Sequence, residues 1–478
     1  MSSNTCDGAR HLDAAAYLDP IFKPRSLAVI GASAQVEKWG HRMVVRPLNT
    51  GYRGTVYPVN PNSREIAGIP SYPSISSLPA GVDLAVITLP AAMVPKALQD
   101  CLRHGIRGAV VISAGFAEAN REGERLQEEV AGLAKAGGIP LVGPNCMGLW
   151  SSPVNLNLAF EEAPHPGSIA FISQSGTLGN YLMLLAKGKG YGFRGFISSG
   201  NQALLEVSDY LDYFGKDEGT RAIILYVEGL RDARRFGETA RRAVRKKPVL
   251  VYKAGRYAVG ARAALSHTAS LAGNDAVFEA LCKQTGLIRC SDPLHTFDMA
   301  VALAGQPPPR GNRVAIISGG GGYCVTMAEA AAAHGLEVPQ LAPADSEKIK
   351  KILYPFAPQP WNPIDAAADV RPMTYARVLD ILLGLDYIDG ILMMIPFMFS
   401  FQLRSPASIR ELMDATEIIC AFPAKYRKPI LGNTIPSVAV GPALELFKKA
   451  GIPFFATQDE SARAMHGLVR YRQFLKEL

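Results

Sequence analysis

The sequence predicts an α/β protein with three doubly wound domains, a Rossmann-like domain followed by two flavodoxin-like domains. Its apolar runs are rich in Val and Ile and do not alternate with polar residues, which is typical of parallel strands buried by helices on both faces. A strand that enters a Gly/Ser loop and then a helix occurs three times, in AVIGAS (28–33), AFISQSGT (170–177) and AIISGGGG (315–322). Because these loops lie about 140 residues apart in a chain of 478 residues, each is expected to open one domain.

Short apolar runs mark the predicted strands. In chain order they are LAVIG (27–31), LAVIT (84–88), AVVIS (109–113), SIAFIS (168–173), AIILYV (222–227), PVLVYK (248–253), VAIIS (314–318) and GILMMI (390–395). The small-residue turns and helical stretches between them predict repeated βαβ units. Asp209 and Asp212 are expected on the face of one such helix.

Two segments mark the predicted domain boundaries. The first boundary lies near GPNCMGLW (143–150), and the second lies in AGQPPPRGNR (304–313), whose three consecutive prolines predict a semi-rigid linker. The predicted domains are therefore 1–150, 151–304 and 311–478.

Composition narrows the class of protein. Hydrophobic residues make up 48% and charged residues 19%, which favours packed cores over disorder. The net charge is +8, but the densest basic run, Arg231 to Lys247, predicts a helix with a solvated face rather than a nucleic-acid-binding arm. The excess charge could instead serve an anionic small ligand or an acidic partner chain.

Targeting, membrane and disulfide signals are missing from the sequence. No apolar run approaches the roughly 18 residues of a membrane span, and the N-terminal segment has no apolar signal core. Seven cysteines in no paired pattern favour a reducing cytoplasm, and the lack of a CxxC pair argues against structural zinc. We therefore expect a cytoplasmic protein with no metal ligands, no membrane contact and no nucleic-acid partner.

Two residues are candidates for chemistry. His267 lies in ARAALSHTASLAGND (261–275), where small residues would let another surface approach, so it is either a nucleophile or an ordinary loop histidine. Glu228 follows an apolar strand, where the ligand crevice of an open parallel sheet lies, although a solvent-facing carboxylate is also common there. The loop GASAQVEKWG (31–40) is not GxGxxG, and neither GxxxxGK[ST] nor HExxH occurs.

A series of ordered motifs carries a family resemblance. They are LAVIGAS (27–33), VYPVNP (56–61), VDLAVITLP (82–90), GAVVISAGFAE (108–118), LVGPNCMGL (141–149), ISQSGTLG (172–179), SSGNQ (198–202), LYVEG (225–229), KAGR (253–256), SHTASLAG (266–273) and NPID (362–365). The chain resembles the alpha subunits of the ADP-forming (NDP-forming) acyl-CoA synthetases. Its Ile21 to Leu303 part resembles the alpha subunit of succinyl-CoA synthetase.

The resemblance implies a phosphohistidine at His267, with Glu228 holding the other ring nitrogen. Ala269 stands where the family has glycine, a small departure that keeps the loop slim. The phosphoryl group is expected on a loop whose hydroxyls and helix N-terminus can hold a dianion, formed by Ser173, Ser175, Gly176 and Thr177. Gly320 and Gly321, in the third loop, are either a further phosphate-binding element or a plain strand-to-helix turn.

The resemblance also makes the first domain the CoA-binding domain. The residues expected to line the CoA site are Gly31, Ala32, Ser33, Asn60, Pro61, Pro90, Ser113, Ala114, Gly115, Asn145 and Cys146. Cys146 matches a family position close to the thioester, although a buried cysteine is more often a packing residue.

The implied reaction is acid + CoA + ATP ⇌ acyl-CoA + ADP + phosphate. The three domains leave no residues for the family's ATP-grasp module, so ATP/ADP and Mg²⁺ are expected on a separate ATP-grasp beta subunit, in a heterotetramer. The sequence does not identify the acid substrate. The segments YPFAPQPW (354–361) and IPFMFSF (395–401) could line a pocket for an acid or simply pack a core. A non-catalytic CoA-binding protein and an NAD-binding oxidoreductase remain the alternatives.

Overall fold

The computed structural model describes residues 14–260, 262, 274–369, 371–394, 405–434 and 441–477. Its internal contacts divide the chain into two compact units, Met1–Pro293 and Leu294–Leu478. The first unit contains two of the predicted sheets and the second unit contains the third.

The first sheet is fully parallel, with the strand order β2-β1-β5-β6-β7. Its strands are β1 (Ser26–Ile30), β2 (Thr55–Val59), β5 (Leu84–Ile87), β6 (Gly108–Val111) and β7 (Leu141–Val142), and a small hairpin adds β3 (Glu65–Ile66) and β4 (Ile69–Pro70). The helices are α1 (Ala14–Phe22), α2 (Trp39–Asn49), α3 (Val94–Arg103) and α4 (Arg121–Ala136). The central strands β1, β5 and β6 are buried along their whole length, as the non-alternating apolar runs predict.

The second sheet has the order β14-β13-β12-β10-β11-β8-β9. Its strands are β8 (Leu149–Ser151), β9 (Leu156–Asn157), β10 (His165–Ser173), β11 (Gly192–Ser198), β12 (Ala222–Val227), β13 (Val249–Lys253) and β14 (Ile288–Cys290). The helices are α5 (Gly176–Gly188), α6 (Val207–Lys216), α7 (Ala233–Val244) and α8 (Asp275–Thr285). The hairpin of β8 and β9 joins the edge of an otherwise parallel sheet through an antiparallel pairing with β11.

The second unit is built on the sheet β16-β15-β17-β18-β19. Its strands are β15 (Val314–Ser318), β16 (Ile364–Asp365), β17 (Gly390–Met394), β18 (Ile430–Asn433) and β19 (Phe454–Phe455). The helices are α9 (Pro293–Gly305), α10 (Gly321–Ala333), α11 (Pro343–Lys350), α12 (Pro372–Gly384), α13 (Pro406–Tyr426), α14 (Gly441–Lys449) and α15 (Gln458–Lys476).

The parallel cores of the three large sheets have the same topology. Numbered within each sheet, the order is 2-1-3-4-5, in which the chain winds to one side of the first strand and then to the other. The direction reverses beside the first strand, so each sheet has a switch point where the carboxyl ends of its first and third strands diverge. The predicted α/β fold of three doubly wound domains is confirmed.

The chain passes from the first sheet to the second between Val142 and Leu149, in the segment where the sequence places the first boundary. β8 is already part of the second sheet, although the predicted boundary of 150 falls inside it, because Trp150 pairs with Phe196 of β11. Helix α9, predicted to end the second domain, lies largely in the second compact unit, where a Cβ on Gly467 would meet Met299.

The basic run predicted to be a solvated helix forms α7, and several of its cations are paired. Arg235 binds the carboxylate of Asp209, and Arg242 lies 3.7 Å from Asp212. Both aspartates lie on α6, as expected.

Candidate functional site

The residues predicted to bind CoA follow the carboxyl ends of the first sheet's strands. Gly31 follows β1, Asn60 follows β2, Pro90 comes shortly after β5, Ser113 after β6 and Asn145 after β7. Hydrogen bonds connect several of these loops. Asn60 Nδ2 donates to the Ala32 carbonyl at 2.6 Å, and Ser113 Oγ donates to the Leu89 carbonyl at 2.5 Å. The Asn145 amide donates to the Ser113 carbonyl at 2.9 Å. The fold thus gathers these predicted residues at one edge of the sheet, around the switch point of β1 and β5.

The turn after β1 requires glycine. Gly31 has φ +88°, and a Cβ there would lie 2.9 Å from Cδ2 of Leu89 and 3.0 Å from Oγ1 of Thr88. Thr88 Oγ1 donates to the carbonyls of Ile30 and Gly31 at 3.1 and 3.0 Å, which fixes the turn against the end of β5. The backbone can therefore be approached closely at this point of the predicted CoA site.

A carboxylate caps the loop after β6. Glu118 Oε1 accepts hydrogen bonds from the backbone amides of Gly115 at 2.7 Å and Phe116 at 3.2 Å, and its other oxygen binds Asn201. Partial burial opposes ionisation, but the hydrogen bonds from Asn201 and from the backbone hold the pKa of Glu118 below its ordinary value. The amide of Gly115, a predicted CoA-site residue, is therefore engaged within the protein.

Asn201 joins the first sheet to the second. Its Nδ2 also donates to Gln127 Oε1 at 2.9 Å, and its Oδ1 accepts from Asn145 Nδ2 at 3.2 Å. Gly200, before it, has φ +58°, and a Cβ there would lie 2.2 Å from the Pro144 carbonyl. Only glycine allows the loop after β11 to pack this closely on the loop after β7.

Cys146 is buried beneath these loops. Its side chain is 4% exposed, and Sγ lies 3.3 Å from the Val111 carbonyl, to which it donates. Burial raises the pKa of Cys146 to about 12, so the group is a neutral thiol at neutral pH. This environment suits packing beside the predicted CoA site rather than nucleophilic attack.

The predicted phosphoryl loop lies at the switch point of the second sheet. Ser173 ends β10, and its Oγ donates to the Ser175 carbonyl at 2.6 Å and accepts from the Ser175 amide at 3.2 Å. Ser175 then caps α5, whose Leu178 amide donates to Ser175 Oγ at 3.3 Å, and Gly176 and Thr177 form the first turn. The N-terminus of a 13-residue helix therefore opens at this edge, with the partial positive charge that favours an anion.

Glu228 lies at the adjacent strand end. It follows β12, which pairs directly with β10, and its side chain is only 6% exposed. The side-chain amide of Gln174, inside the phosphoryl loop, binds the backbone at Glu228 and Gly229, and Lys253 Nζ donates to the Glu228 carbonyl at 2.9 Å. The fold therefore brings the predicted carboxylate and the predicted phosphoryl loop to one site.

The aromatic and basic neighbours of Glu228 have shifted pKa values. Burial, reinforced by the charge of Glu228 and a hydrogen bond with it, raises the pKa of Tyr226, whose ring stacks on Tyr252 with centroids 5.6 Å apart. Burial lowers the pKa of Lys253, against the opposing attraction of Asp275 and Glu228. This end of the second sheet is thus polar and partly charged beneath its surface.

Family models match three consecutive parts of the chain. A CoA binding domain matches residues 25–151, a succinyl-CoA ligase like flavodoxin domain matches 166–303, and a Ligase-CoA domain matches 314–474. The acetate–CoA ligase [ADP-forming] II subunit alpha of Pyrococcus furiosus is 37% identical over 95% of this chain and 97% of its own length. The chain belongs to the family of ADP-forming acyl-CoA synthetases.

Other members of the family differ in length. The acetate–CoA ligase [ADP-forming] I of Archaeoglobus fulgidus is 36% identical over 95% of this chain, and this chain spans 64% of that relative's length. The solved acetyl-coenzyme A synthetase 1 of Ca. Korarchaeum cryptofilum, in complex with phosphate and ADP, is 32% identical with a TM-score of 0.84, covering 96% of this chain and 98% of that one. The resemblance to the alpha subunits of this family is confirmed.

His267, the family's predicted phosphohistidine, lies outside the described residues, as does the segment IPFMFSF (395–401). The described chain continues past β13 to residue 260, includes residue 262, and resumes at Asn274, which caps α8. The role of His267 stays a prediction.

The third Gly/Ser loop, which follows β15 and contains Gly320 and Gly321, has a different environment from the predicted phosphoryl loop. Gly320 donates its amide to Ser318 Oγ at 3.2 Å, and a Cβ on Gly321 would lie 2.9 Å from Oδ2 of Asp365. A carboxylate therefore already faces the first turn of α10, where the predicted phosphate would have to bind. The assignment of Gly320 and Gly321 to phosphate stays a prediction.

The aromatic segment YPFAPQPW (354–361) is partly exposed. Tyr354 and Phe356 stack with ring centroids 5.2 Å apart, and the guanidinium of Arg371 lies 4.1 Å from the centroid of Tyr354. Phe356 is 74% exposed, so core packing does not explain this residue.

Sequence reasoning missed several polar residues of this family member. Gln174, Lys253, Asn201 and Glu118 hold the loops of the site, although only the motifs around them were recognised. Their hydrogen-bond partners lie far along the chain, so nothing local in the sequence identifies them. Among the described residues, no group of three or more His, Cys, Asp or Glu side chains could hold a metal ion, and no helix is long and apolar enough to cross a membrane.

Proposed function

We propose that this chain acts as the alpha subunit of an ADP-forming acyl-CoA synthetase, catalysing acid + CoA + ATP ⇌ acyl-CoA + ADP + phosphate. The observation that carries the proposal is the meeting of Glu228 with the Ser173–Thr177 loop at the switch point of the second sheet, in a chain of this family. A protein that only bound CoA would need neither group.

In the direction of ATP synthesis, the acyl group and the phosphoryl group are transferred in separate steps. Phosphate attacks the acyl-CoA thioester carbon, which releases CoA and forms an acyl phosphate. An imidazole nitrogen of His267 then attacks phosphorus, which releases the carboxylate and forms phosphohistidine. Glu228, bound to the other ring nitrogen, would favour the nucleophilic tautomer and stabilise the cation that forms. The hydroxyls of Ser175 and Thr177 and the N-terminus of α5 would hold the phosphoryl oxygens.

Transfer from phosphohistidine to ADP needs a nucleotide site. We propose that an ATP-grasp beta subunit with Mg²⁺ supplies it, within a cytoplasmic heterotetramer. Two relatives that this chain matches over nearly their whole length are named as alpha subunits. The sequence also has no GxxxxGK[ST] loop. Isothermal titration of the lone chain should show CoA binding without tight ATP binding; stoichiometric ATP binding would contradict this division of labour.

The acid remains to be measured. Relatives carry names for acetate in Pyrococcus furiosus and 4-hydroxybutyrate in Nitrosopumilus maritimus. A panel of short, branched and aromatic acids, assayed with the beta subunit present, should rank the substrates by kcat/KM.

The covalent step gives the decisive test. The chain incubated with radioactive phosphate and the acyl-CoA of the acid that the panel ranks first should acquire an acid-labile, base-stable label, and His267→Ala should abolish it. A label that persists in His267→Ala would place the phosphoryl group elsewhere. CoA binding by a wild-type chain that acquires no label would favour a non-catalytic CoA-binding protein, and tighter binding of NAD than of CoA would favour an oxidoreductase.

A further inference from the structure

Glu228 and Gly229 directly follow β12, and side chains bind all four of their backbone N–H and C=O groups. Gln174 Oε1 accepts from the amides of Glu228 and Gly229, the second at 3.1 Å, and Gln174 Nε2 donates to the Gly229 carbonyl at 2.9 Å. Lys253 Nζ donates to the Glu228 carbonyl at 2.9 Å. Two side chains therefore fix the backbone that carries the predicted catalytic carboxylate.

These two side chains come from the strands on either side of β12. Gln174 directly follows β10, and Lys253 is the last residue of β13. Beyond the end of a strand, backbone groups lose their partners in the sheet ladder and must find others when buried. Here side chains at the ends of the two neighbouring strands provide these partners. They hold the backbone of Glu228 more firmly than a loop without such hydrogen bonds would.

Lys253 also brings a charge beneath the site. It is 6% exposed, and its Nζ donates as well to the Ala254 carbonyl at 2.7 Å. Burial lowers the pKa of Lys253, Arg289 adds to this effect, and the carboxylates of Asp275 and Glu228 oppose it. A buried ammonium is costly unless it is well hydrogen-bonded, so its place here calls for a role beyond packing.

We infer that Gln174 and Lys253 are positioning residues, which hold the Glu228 carboxylate in register with the phosphoryl loop during phosphohistidine formation. The inference rests on the proposed function. Gln174 lies between Ser173 and Ser175, so a shift of the phosphoryl loop moves the carboxylate with it. Neither residue needs to touch the reacting atoms, because both act through Glu228.

The test measures the rate at which acetyl phosphate phosphorylates the full chain in a quenched-flow experiment. Gln174→Ala and Lys253→Met should each slow labelling roughly ten- to hundredfold, as loss of an orienting partner does. Lys253→Arg, which keeps the charge and donors, should recover part of the rate. A wild-type chain that acquires no label, either from acetyl phosphate or from the acyl phosphate of the acid ranked first in the substrate panel, would refute the proposed function itself, whereas normal labelling of both variants would refute only this inference.

The chain offers a matched control for each variant. Gln306 bridges backbone groups in the second unit, with Oε1 accepting from the Ile430 amide at 2.8 Å and Nε2 donating to the Gly451 carbonyl at 2.7 Å. Lys428 is buried there and donates to the carbonyls of Leu383 and Leu385 at 2.8 and 2.7 Å. Gln306→Ala and Lys428→Met should lower stability comparably while changing the labelling rate less than about twofold.

A double-mutant cycle separates positioning from general destabilisation. In a Glu228→Gln background, Gln174→Ala and Lys253→Met should cause little further loss, because both residues act through the missing carboxylate. The pH profile of the labelling rate should change in the same way in Glu228→Gln, Gln174→Ala and Lys253→Met. Full additivity, or losses equal to those of the two control variants, would overturn the inference.

Discussion

The second and third sheets share one strand order but use the polar groups at their strand ends differently. In both, a serine ends the first strand and accepts the amide two residues on, at 3.2 Å for Ser173 with Ser175 and 3.2 Å for Ser318 with Gly320. In both, the carbonyl of that serine accepts the amide that follows the second strand, from Ser199 at 2.9 Å and from Ala366 at 2.8 Å. The scaffold of the switch point is therefore repeated.

The groups placed on that scaffold are not repeated. The fourth strand of the second sheet ends in the buried cation Lys253, whereas the fourth strand of the third sheet ends in Asn433, a neutral amide. Asn433 donates to the carbonyls of Phe455 and Thr457 at 3.3 and 2.5 Å and accepts from Ser461 Oγ at 2.8 Å. The third sheet uses its strand end to fasten its own elements, and the second uses it to hold a carboxylate. Equal topology thus does not imply equal chemistry.

The largest expected effect separates these two strand ends. Glu228→Gln should slow phosphohistidine formation roughly hundredfold, because the orienting charge is lost while the shape remains. Asn433→Ala should lower the free energy of unfolding by about 1–3 kcal/mol, since it leaves buried groups unpaired, but labelling of the folded fraction should persist. Equal effects of both variants on labelling would erase the distinction between the two sheets.

A second prediction extends the comparison to the first sheet. Gly31→Val should weaken CoA binding tenfold or more, or about 1.4 kcal/mol, because its side chain would enter the turn after β1. Gly51→Val is the matched control, since Gly51 also has a positive φ, +66°, with nothing within 4 Å of a Cβ. Calorimetry with CoA should show a loss only for Gly31→Val, and unchanged affinity in that variant would move the site.

A third prediction concerns the pH dependence of the link between the first two sheets. The pKa of Glu118 in the folded chain lies below its ordinary value of 4.5, so its carboxylate stabilises the fold above that pH and the contribution is lost as pH falls through the folded pKa. Acid unfolding of Glu118→Gln should therefore be less steep below about pH 4.5 than that of wild type. Glu162→Gln is the control, because a hydrogen bond from Lys187 also lowers the pKa of Glu162, but both side chains of this pair lie at the surface, where an ion pair adds little stability. Identical acid profiles for Glu118→Gln and wild type would refute the link.

The smallest expected effect lies at the third loop. Asp365→Asn should cost about 0.3–1 kcal/mol of unfolding free energy, since a carboxylate beside the N-terminus of α10 is favourable, and should leave labelling unchanged. A clear change in the labelling rate would instead support the prediction that Gly320 and Gly321 take part in binding phosphate.

The strands that the sequence predicts are apolar runs that are buried along most of their length, although β18, which is buried at all four of its residues, is missed. Strand β2 is absent from the series of apolar runs because Pro58 interrupts its pattern, which an edge strand tolerates. Strand β11 escapes because Gly195 and Arg194 break its apolar run, although Arg194 pairs with Asp217 at 2.9 Å. The apolar composition of a strand thus indicates its burial. A proline in an edge strand or a paired charge interrupts the apolar run, so the strand is not recognised from the sequence.

The candidate site is predictable where its residues adjoin a strand and less so where they act across space. Glu228 and the Ser173–Thr177 loop each follow an apolar run, so strand position alone points to them. Gln174 meets Glu228 across 54 residues, and Asn201 meets Glu118 across 83 residues. Contacts at such separations are set by sheet order, which local sequence patterns do not encode.

The chain crosses from the first sheet to the second through the short loop between Val142 and Leu149. That loop carries Asn145 and Cys146, and the Met147 amide binds Ser198 Oγ at 3.1 Å on the far side. The joint between the two sheets is therefore also a wall of the predicted site. Recombination between relatives at this joint would exchange part of that wall along with the domain, so the first two domains should be inherited together rather than shuffled as separate modules.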